Sequence, residues 1–148
     1  MATTTGAKKA YKGGCHCGFF RYTVELDLSE MKASRCNCSI CLKLNMVMVK
    51  ADPEGFKLEA PASIDEAKDY LFGTKKFHHY FCPTCGVHCY GVGEYTFEGK
   101  TFNHASVNVV TLDQDQVDLR KLKLVYWDGK GDNWAAGTKD EPFEGGIH

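Results

Sequence analysis

The segment RCNCSICLKLN, residues 35–45, places three cysteines, Cys36, Cys38 and Cys41, within six positions. Thiolates are zinc ligands, and zinc takes four donors in a tetrahedron with sulfur at about 2.3 Å. Three thiols are one too many for a disulfide and one too few for a closed zinc site. Two other pairs, Cys15 and Cys17 in GGCHCG and Cys82 and Cys85 in CPTCG, together supply a full set of four. Cys89 stands apart. For the middle cluster two readings follow. A fourth protein ligand from Cys89, His88, His78 or His79 closes a second structural site, or water keeps the fourth position open, as at catalytic zinc. Cysteine arithmetic leaves both open.

Composition favours metal over disulfides. The chain has 148 residues, 43% hydrophobic and 25% charged, with 18 basic against 19 acidic side chains. That length suits one domain able to bury its own core. The charge balance gives no basic footprint for nucleic acid and no attraction to an anionic membrane. The Lys8-Lys9 and Lys75-Lys76 pairs read as solvated surface. The opening MATTTGAKKAYKGG has no signal-peptide core, and the best apolar run near the middle is Met46 to Val49. A cytoplasmic, intracellular protein is expected, where thiols stay reduced and the clustered cysteines among the eight read as metal ligands.

The elements that must position these thiols are mostly strands. Phe19 to Leu26, Met46 to Ala51, Phe56 to Glu59, Lys76 to Phe81, Thr101 to Val110 and Leu122 to Trp127 are short, rich in β-branched or aromatic residues, and punctuated by Gly, Pro, Asp and Asn. Helix is expected only as a turn over Ile40 to Leu44 and a turn or two near Val117, Leu119 and Leu122. The N-terminal dozen residues read as frayed, and Gly137 to His148 as a loose arm or surface-hugging loop. The pattern predicts a mainly β, sandwich-like fold. Glycines beside the cysteines, Gly13, Gly14, Gly18 and Gly86, let the backbone curl its amides toward sulfur.

The order of the motifs GGCHCGFFRY, CNCSIC and FHHYFCPTCG resembles the glutathione-dependent formaldehyde-activating enzyme family, which includes centromere protein V-like proteins. The resemblance spans about residues 11–130 of a single zinc-binding domain, 1–148. It implies two antiparallel sheets leaning together in a tent, with zinc sites at one end. It further implies two zinc ions per chain: a structural one on Cys15, Cys17, Cys82 and Cys85, and a second on Cys36, Cys38 and Cys41 whose missing ligand is water or substrate. Cys89 lies outside the family motif and reads as a buried thiol acting as a small hydrophobe.

Strand parity puts Phe77, His79 and Phe81 on one face, so His79 is expected as a hydrogen-bonded core histidine or a partner to thiolate. His16 is expected to turn outward. His104 and Asn108 line a pocket or a solvated strand face, and Arg21, Lys43 and Lys50 carry no assignment. Trp127, Asp128, Gly129, Asp132 and Trp134 read as a closing strand and turn with an aromatic plug. The family-type reaction is a carbon–sulfur lyase step, in which glutathione sulfur adds to formaldehyde to give S-hydroxymethylglutathione. The expected partner is therefore a small molecule, glutathione among the candidates, with no nucleic acid and no membrane. A zinc-dependent hydrolase of an imine or lactam, or a non-catalytic zinc-stabilised binding module, are the alternatives, since one fold hosts several chemistries.

Overall fold

The computed structural model describes residues 8–148; the expected fraying of residues 1–7 lies outside them. Two sheets form, and the chain is mainly β with a single α-helix among the described residues. The smaller sheet has three antiparallel strands in the order β1-β2-β5: β1 Lys8–Gly14, β2 Arg21–Asp27 and β5 Phe56–Ala60. Residues 8–12, expected to fray, instead pair with β2 from Lys8↔Asp27 to Lys12↔Thr23. The backbone ladder offsets the ordering cost that their polar composition suggested would go unmet.

The larger sheet has seven strands in the order β10-β3-β4-β9-β8-β7-β6. These are β3 Lys32–Cys36, β4 Met48–Ala51, β6 Lys68–Tyr70, β7 Phe77–Phe81, β8 His88–Phe97, β9 Lys100–Asn108 and β10 Lys123–Trp127. Its one parallel pairing is β10 on β3, where Trp127 lies beside Cys36. That pairing departs from the all-antiparallel expectation, because the strands are distant in sequence and no hairpin fixes their direction. Strands β1, β3, β6 and β8 carry no clean apolar run, and only their partners specify them.

The sheets bury a shared core through period-two alternation. In β2, Tyr22, Val24 and Leu26 are buried, whereas Arg21, Thr23, Glu25 and Asp27 face outward or lie at the rim. The aromatic column Tyr22–Phe56–Tyr90 crosses between the sheets, with ring centroids 5.3 Å and then 3.6 Å apart. The buried Tyr22 hydroxyl meets Thr111 Oγ1 at 2.7 Å, so this polar tip is satisfied. Burial pushes the Tyr22 phenol up beyond its usual range. The tight β8–β9 turn uses Glu98 and Gly99, both at positive φ (53° and 78°), the twist a two-residue hairpin requires.

The expected turn over Ile40 to Leu44 is the helix α1, Ser39–Leu44. The second expected turn shrinks to the 3-10 segment Leu119–Lys121. The tail hugs the surface: Lys139 bridges to Tyr126, and the Glu144 carbonyl accepts a bond from Asn37 Nδ2 at 2.9 Å. No helix is long and apolar enough to cross a membrane among the described residues.

Because Phe56 joins the aromatic rings of both sheets, Phe56→Ala should lower stability by about 3 kcal/mol. Urea unfolding followed by tyrosine environment checks this; a loss under about 1 kcal/mol means the column is not a joint between the sheets.

Candidate metal centre

The two expected cysteine sets assemble, and they do so at one end of the molecule. Cys15 and Cys17 sit in the loop that connects β1 to β2, and Cys82 and Cys85 in the loop that connects β7 to β8. These loops belong to different sheets, so the four sulfurs meet across the gap between them. Cys15 Sγ lies 3.7 Å from Cys17 Sγ, which lies 3.5 Å from Cys82 Sγ. Four sulfurs at about 2.3 Å from one zinc stand about 3.8 Å apart, so the donor set fits the ion in number, type and spacing.

Local backbone geometry prepares these sulfurs for negative charge. The Phe20 amide donates to Cys15 Sγ at 3.2 Å, and the Thr84 and Cys85 amides each donate to Cys82 Sγ at 3.3 Å. Gly86 supports the second turn at φ 78°, a left-handed conformation that a side chain would strain. Against a burial that would raise it, the Val87 and Cys17 amides bring the Cys85 thiol down to about 6. Cys82 is lowered in the same way, by the Cys85 and Thr84 amides working against desolvation.

The middle cluster is built on one continuous piece of chain. Cys36 ends β3, Cys38 is the N-cap of α1, and Cys41 lies on its first turn. Their sulfurs lie within 4.8 Å of one another, and no fourth His, Cys, Asp or Glu donor joins them among the described residues. The candidates for closing this site lie outside the cluster. Cys89 is fully buried beside Cys15, Cys82 and Cys85, with its thiol pushed up to about 12 by burial. His78 Nδ1 meets Asp69 at 2.7 Å, and His79 Nδ1 meets the Tyr70 carbonyl at 3.0 Å. His88 Nδ1 meets the Tyr80 carbonyl at 3.0 Å, and burial lowers its ring to about 4, keeping it neutral. His79 is thus a core histidine bonded to backbone, and no thiolate is its partner.

Within the three-thiol cluster the Cys38 thiol is pulled far down. Hydrogen bonds from the Cys36 and Cys41 thiols do most of this, helped by the Cys41 and Ile40 amides at the helix start. Cys36 and Cys41 are pushed up in return, since both share their protons with Cys38.

Two residues that the sequence reading passed over hold this loop in place. Asn37, buried between two of the cysteines, donates from Nδ2 to Asp128 Oδ1 at 2.8 Å and to the Glu144 carbonyl at 2.9 Å. Its Oδ1 accepts from the Lys130 amide at 2.8 Å. One side chain therefore ties the cysteine loop to the 128–130 turn and to the C-terminal arm. Gly129, read only as part of a closing turn, lies against the cluster itself. A Cβ there would stand 2.5 Å from Cys36 Sγ, closer than a side chain tolerates, and in a tight 3.1 Å contact with Cys38 Cβ. The signal available in sequence was the CNC spacing, in which a polar amide between two ligands must find partners when buried.

The remaining expectations resolve simply. His16 is exposed. Asn108 is buried, donating to the His88 carbonyl at 3.1 Å, while its Oδ1 accepts from the Val47 amide at 3.3 Å. His104 is partly buried against Phe77 and Tyr95. Arg21 is committed to a paired bond with Asp113, at 2.9 and 2.7 Å.

With two sheets in place and two cysteine clusters at one end, comparison with known proteins is decisive. The model of the family "Glutathione-dependent formaldehyde-activating enzyme" matches residues 10–128. The chain belongs to this family. A crystal structure of a Rhodobacter sphaeroides protein from a structural genomics programme is similar, with a TM-score of 0.62 and 31% sequence identity. The match covers 78% of this chain and 98% of that one. The two cysteine clusters are two places where a metal ion could sit.

The two sites should fail differently. Cys15→Ser or Cys85→Ser removes a link between sheets, and metal binding at such a site is folding free energy. Cys38→Ser or Cys41→Ser touches one local segment and should leave a folded protein lacking one ion. Thermal melts with elemental analysis separate these outcomes, and equal destabilisation by Cys38→Ser and Cys15→Ser would make the middle site structural. Asn37→Ala should leave the fold intact and weaken metal retention at the middle site by about tenfold, as loss of a group that orients ligands does. Chelator competition measures it, and unchanged retention would show that the loop is held by the sulfurs alone.

Proposed function

We propose that this protein is a zinc-dependent enzyme of the carbon–sulfur lyase type, resembling S-(hydroxymethyl)glutathione synthase, that joins a thiol to a small carbonyl. In this reading Cys15, Cys17, Cys82 and Cys85 hold a structural zinc, and Cys36, Cys38 and Cys41 hold a second zinc with an open position. The observation that carries it is the set of three convergent sulfurs with no fourth donor among the described residues, in a chain of a glutathione-dependent formaldehyde-activating family. The reducing cytosol is the matching compartment, because free thiols persist there.

A zinc ion on three thiolates would bind a thiol substrate as its thiolate or polarise a small carbonyl, as a weaker Lewis acid than one on three histidines. The chain contributes arrangement. The neighbouring thiols and amides pull the Cys38 thiol down, which favours the thiolate form that a cation would bind. The absent side chain at Gly129 leaves the Cys36 sulfur unobstructed, and Asn37 fixes the turn that approaches it. In the synthetic direction the thiol loses its proton, a bond forms from sulfur to the carbonyl carbon, and the carbonyl oxygen gains a proton. The same site suits hydrolysis of an imine or lactam, since a fold does not choose its reactant. A non-catalytic binding module of the chromatin-associated kind would be expected to carry a basic arm. The formal net charge of −1 counts against that alternative.

Formaldehyde with glutathione is the first pair to test, by NMR of the hydroxymethyl adduct above its spontaneous rate. Turnover is expected in zinc-loaded protein, with zinc-stripped protein and Cys38→Ser at background and activity returning when zinc is restored. A null result alongside zinc-dependent hydrolysis of imines or lactams changes the substrate only. No zinc-dependent turnover of any of them leaves the binding module.

A further inference from the structure

The turn that closes on the three thiols carries an indole that the core does not use. Trp134 is 40% exposed, an unusual cost for so large an apolar side chain. Its position is nevertheless fixed from two sides. The Nε1–H donates to Asp132 Oδ1 at 2.8 Å, and the ring leans on Trp127 with centroids 5.8 Å apart. The 3-10 turn Trp134–Ala136 sets the backbone beneath it. The far edge of the ring reaches the cluster: the point where a Cβ on Gly129 would stand is 2.9 Å from Trp134 Cη2 and 2.5 Å from Cys36 Sγ. The indole edge and the thiol are thus neighbours across a space that only glycine leaves free.

We propose that Trp134 determines the shape of ligand admitted to the open position of the Cys36–Cys38–Cys41 site. It admits a donor atom borne on an unbranched carbon, such as a thiol on a methylene or the oxygen of a one-carbon aldehyde, and turns away donors on branched carbons. This rests on the reading that the three thiols hold an ion.

The physical reason is the short reach of a coordination bond. A donor held at about 2.3 Å from a metal ion draws its first carbon into the ring of surrounding side chains. A methylene there lies against an aromatic edge at no steric cost, and its sulfur gains a favourable contact with the ring. Two methyl groups in place of hydrogens must overlap the indole or drive it off both Asp132 and Trp127. Trp127 is itself fixed by its pairing beside Cys36, so the wall cannot retreat in that direction. A packed wall resists such intrusion where a mobile side chain would yield.

The test fills the four-thiol site with zinc and titrates the three-thiol site with Co2+, whose thiolate absorption reports both the ion and its ligands. N-acetylcysteine and N-acetylpenicillamine, which differ by two methyls on the carbon bearing sulfur, are then compared. Wild type should bind the unbranched thiol at least about tenfold more tightly, and Trp134→Ala should cut the preference to about twofold with Co2+ affinity unchanged. Trp134→Phe should fall between. An unchanged preference in Trp134→Ala overturns the proposal, and so does loss of Co2+ from that variant, which would make the indole part of the scaffold. In Trp127→Phe the only remaining indole is Trp134. Co2+ uptake should quench its fluorescence, and no quenching places the ring away from the ion and overturns the proposal. Wild type that takes up no Co2+ at the three thiols sinks both this proposal and the metal reading beneath it, a result distinct from an unchanged preference.

Discussion

Four thiol sulfurs brought within bonding range of one another between two sheets are an electrostatic problem before they are a staple. Cys15 and Cys82 are nearly or fully buried, and Cys17 and Cys85 complete the set from the rim. Ionised thiols at that spacing repel, and burial penalises their charge. Backbone amides aimed at Cys15 and Cys82 relieve part of this. A divalent cation held there would relieve the rest, and in doing so would join the β1–β2 loop to the β7–β8 loop. The meeting of these two loops, one from each sheet, and the Tyr22–Phe56–Tyr90 column between the sheets are the contacts that set the three-stranded sheet against the seven-stranded one.

The second cluster answers a different constraint. Its three sulfurs come from one strand end and one short helix, so nothing global has to be joined there. What the cluster needs is support from behind. The parallel pairing of β10 with β3 brings Trp127 beside Cys36 and delivers the 128–134 turn to the cluster. Asn37 then bonds that turn and the C-terminal arm with one amide group. A buried amide with three partners specifies a loop more sharply than apolar contacts, because each broken bond leaves a polar group stranded. The division is physical: one cluster draws its sulfurs from both sheets, and the other gathers three on a single locally braced loop.

The grouping of the cysteines into a four and a three, the family and the mainly β class were legible in the sequence, because thiol chemistry is written in residue type and spacing and strands are written in period-two patterns. Cys82-Pro-Thr-Cys85-Gly86 specifies its own turn, and a short segment that specifies its own geometry can be read alone. The alternation of Tyr22, Val24 and Leu26 is equally local. Tertiary structure decided what depends on partners far along the chain. Residues 8–12 look polar and loose, yet β2 supplies their hydrogen bonds. The three histidines near Cys82 are ligand types at plausible spacing, but the fold gathers none of them with Cys36, Cys38 and Cys41. The role of Gly129 was invisible for the same reason: its clash with Cys36 exists only after strands more than eighty residues apart have paired. Sequence determined which atoms can serve as donors. Pairing between distant strands decided which of them are free to do so, because a contact is a property of two segments and a composition of only one.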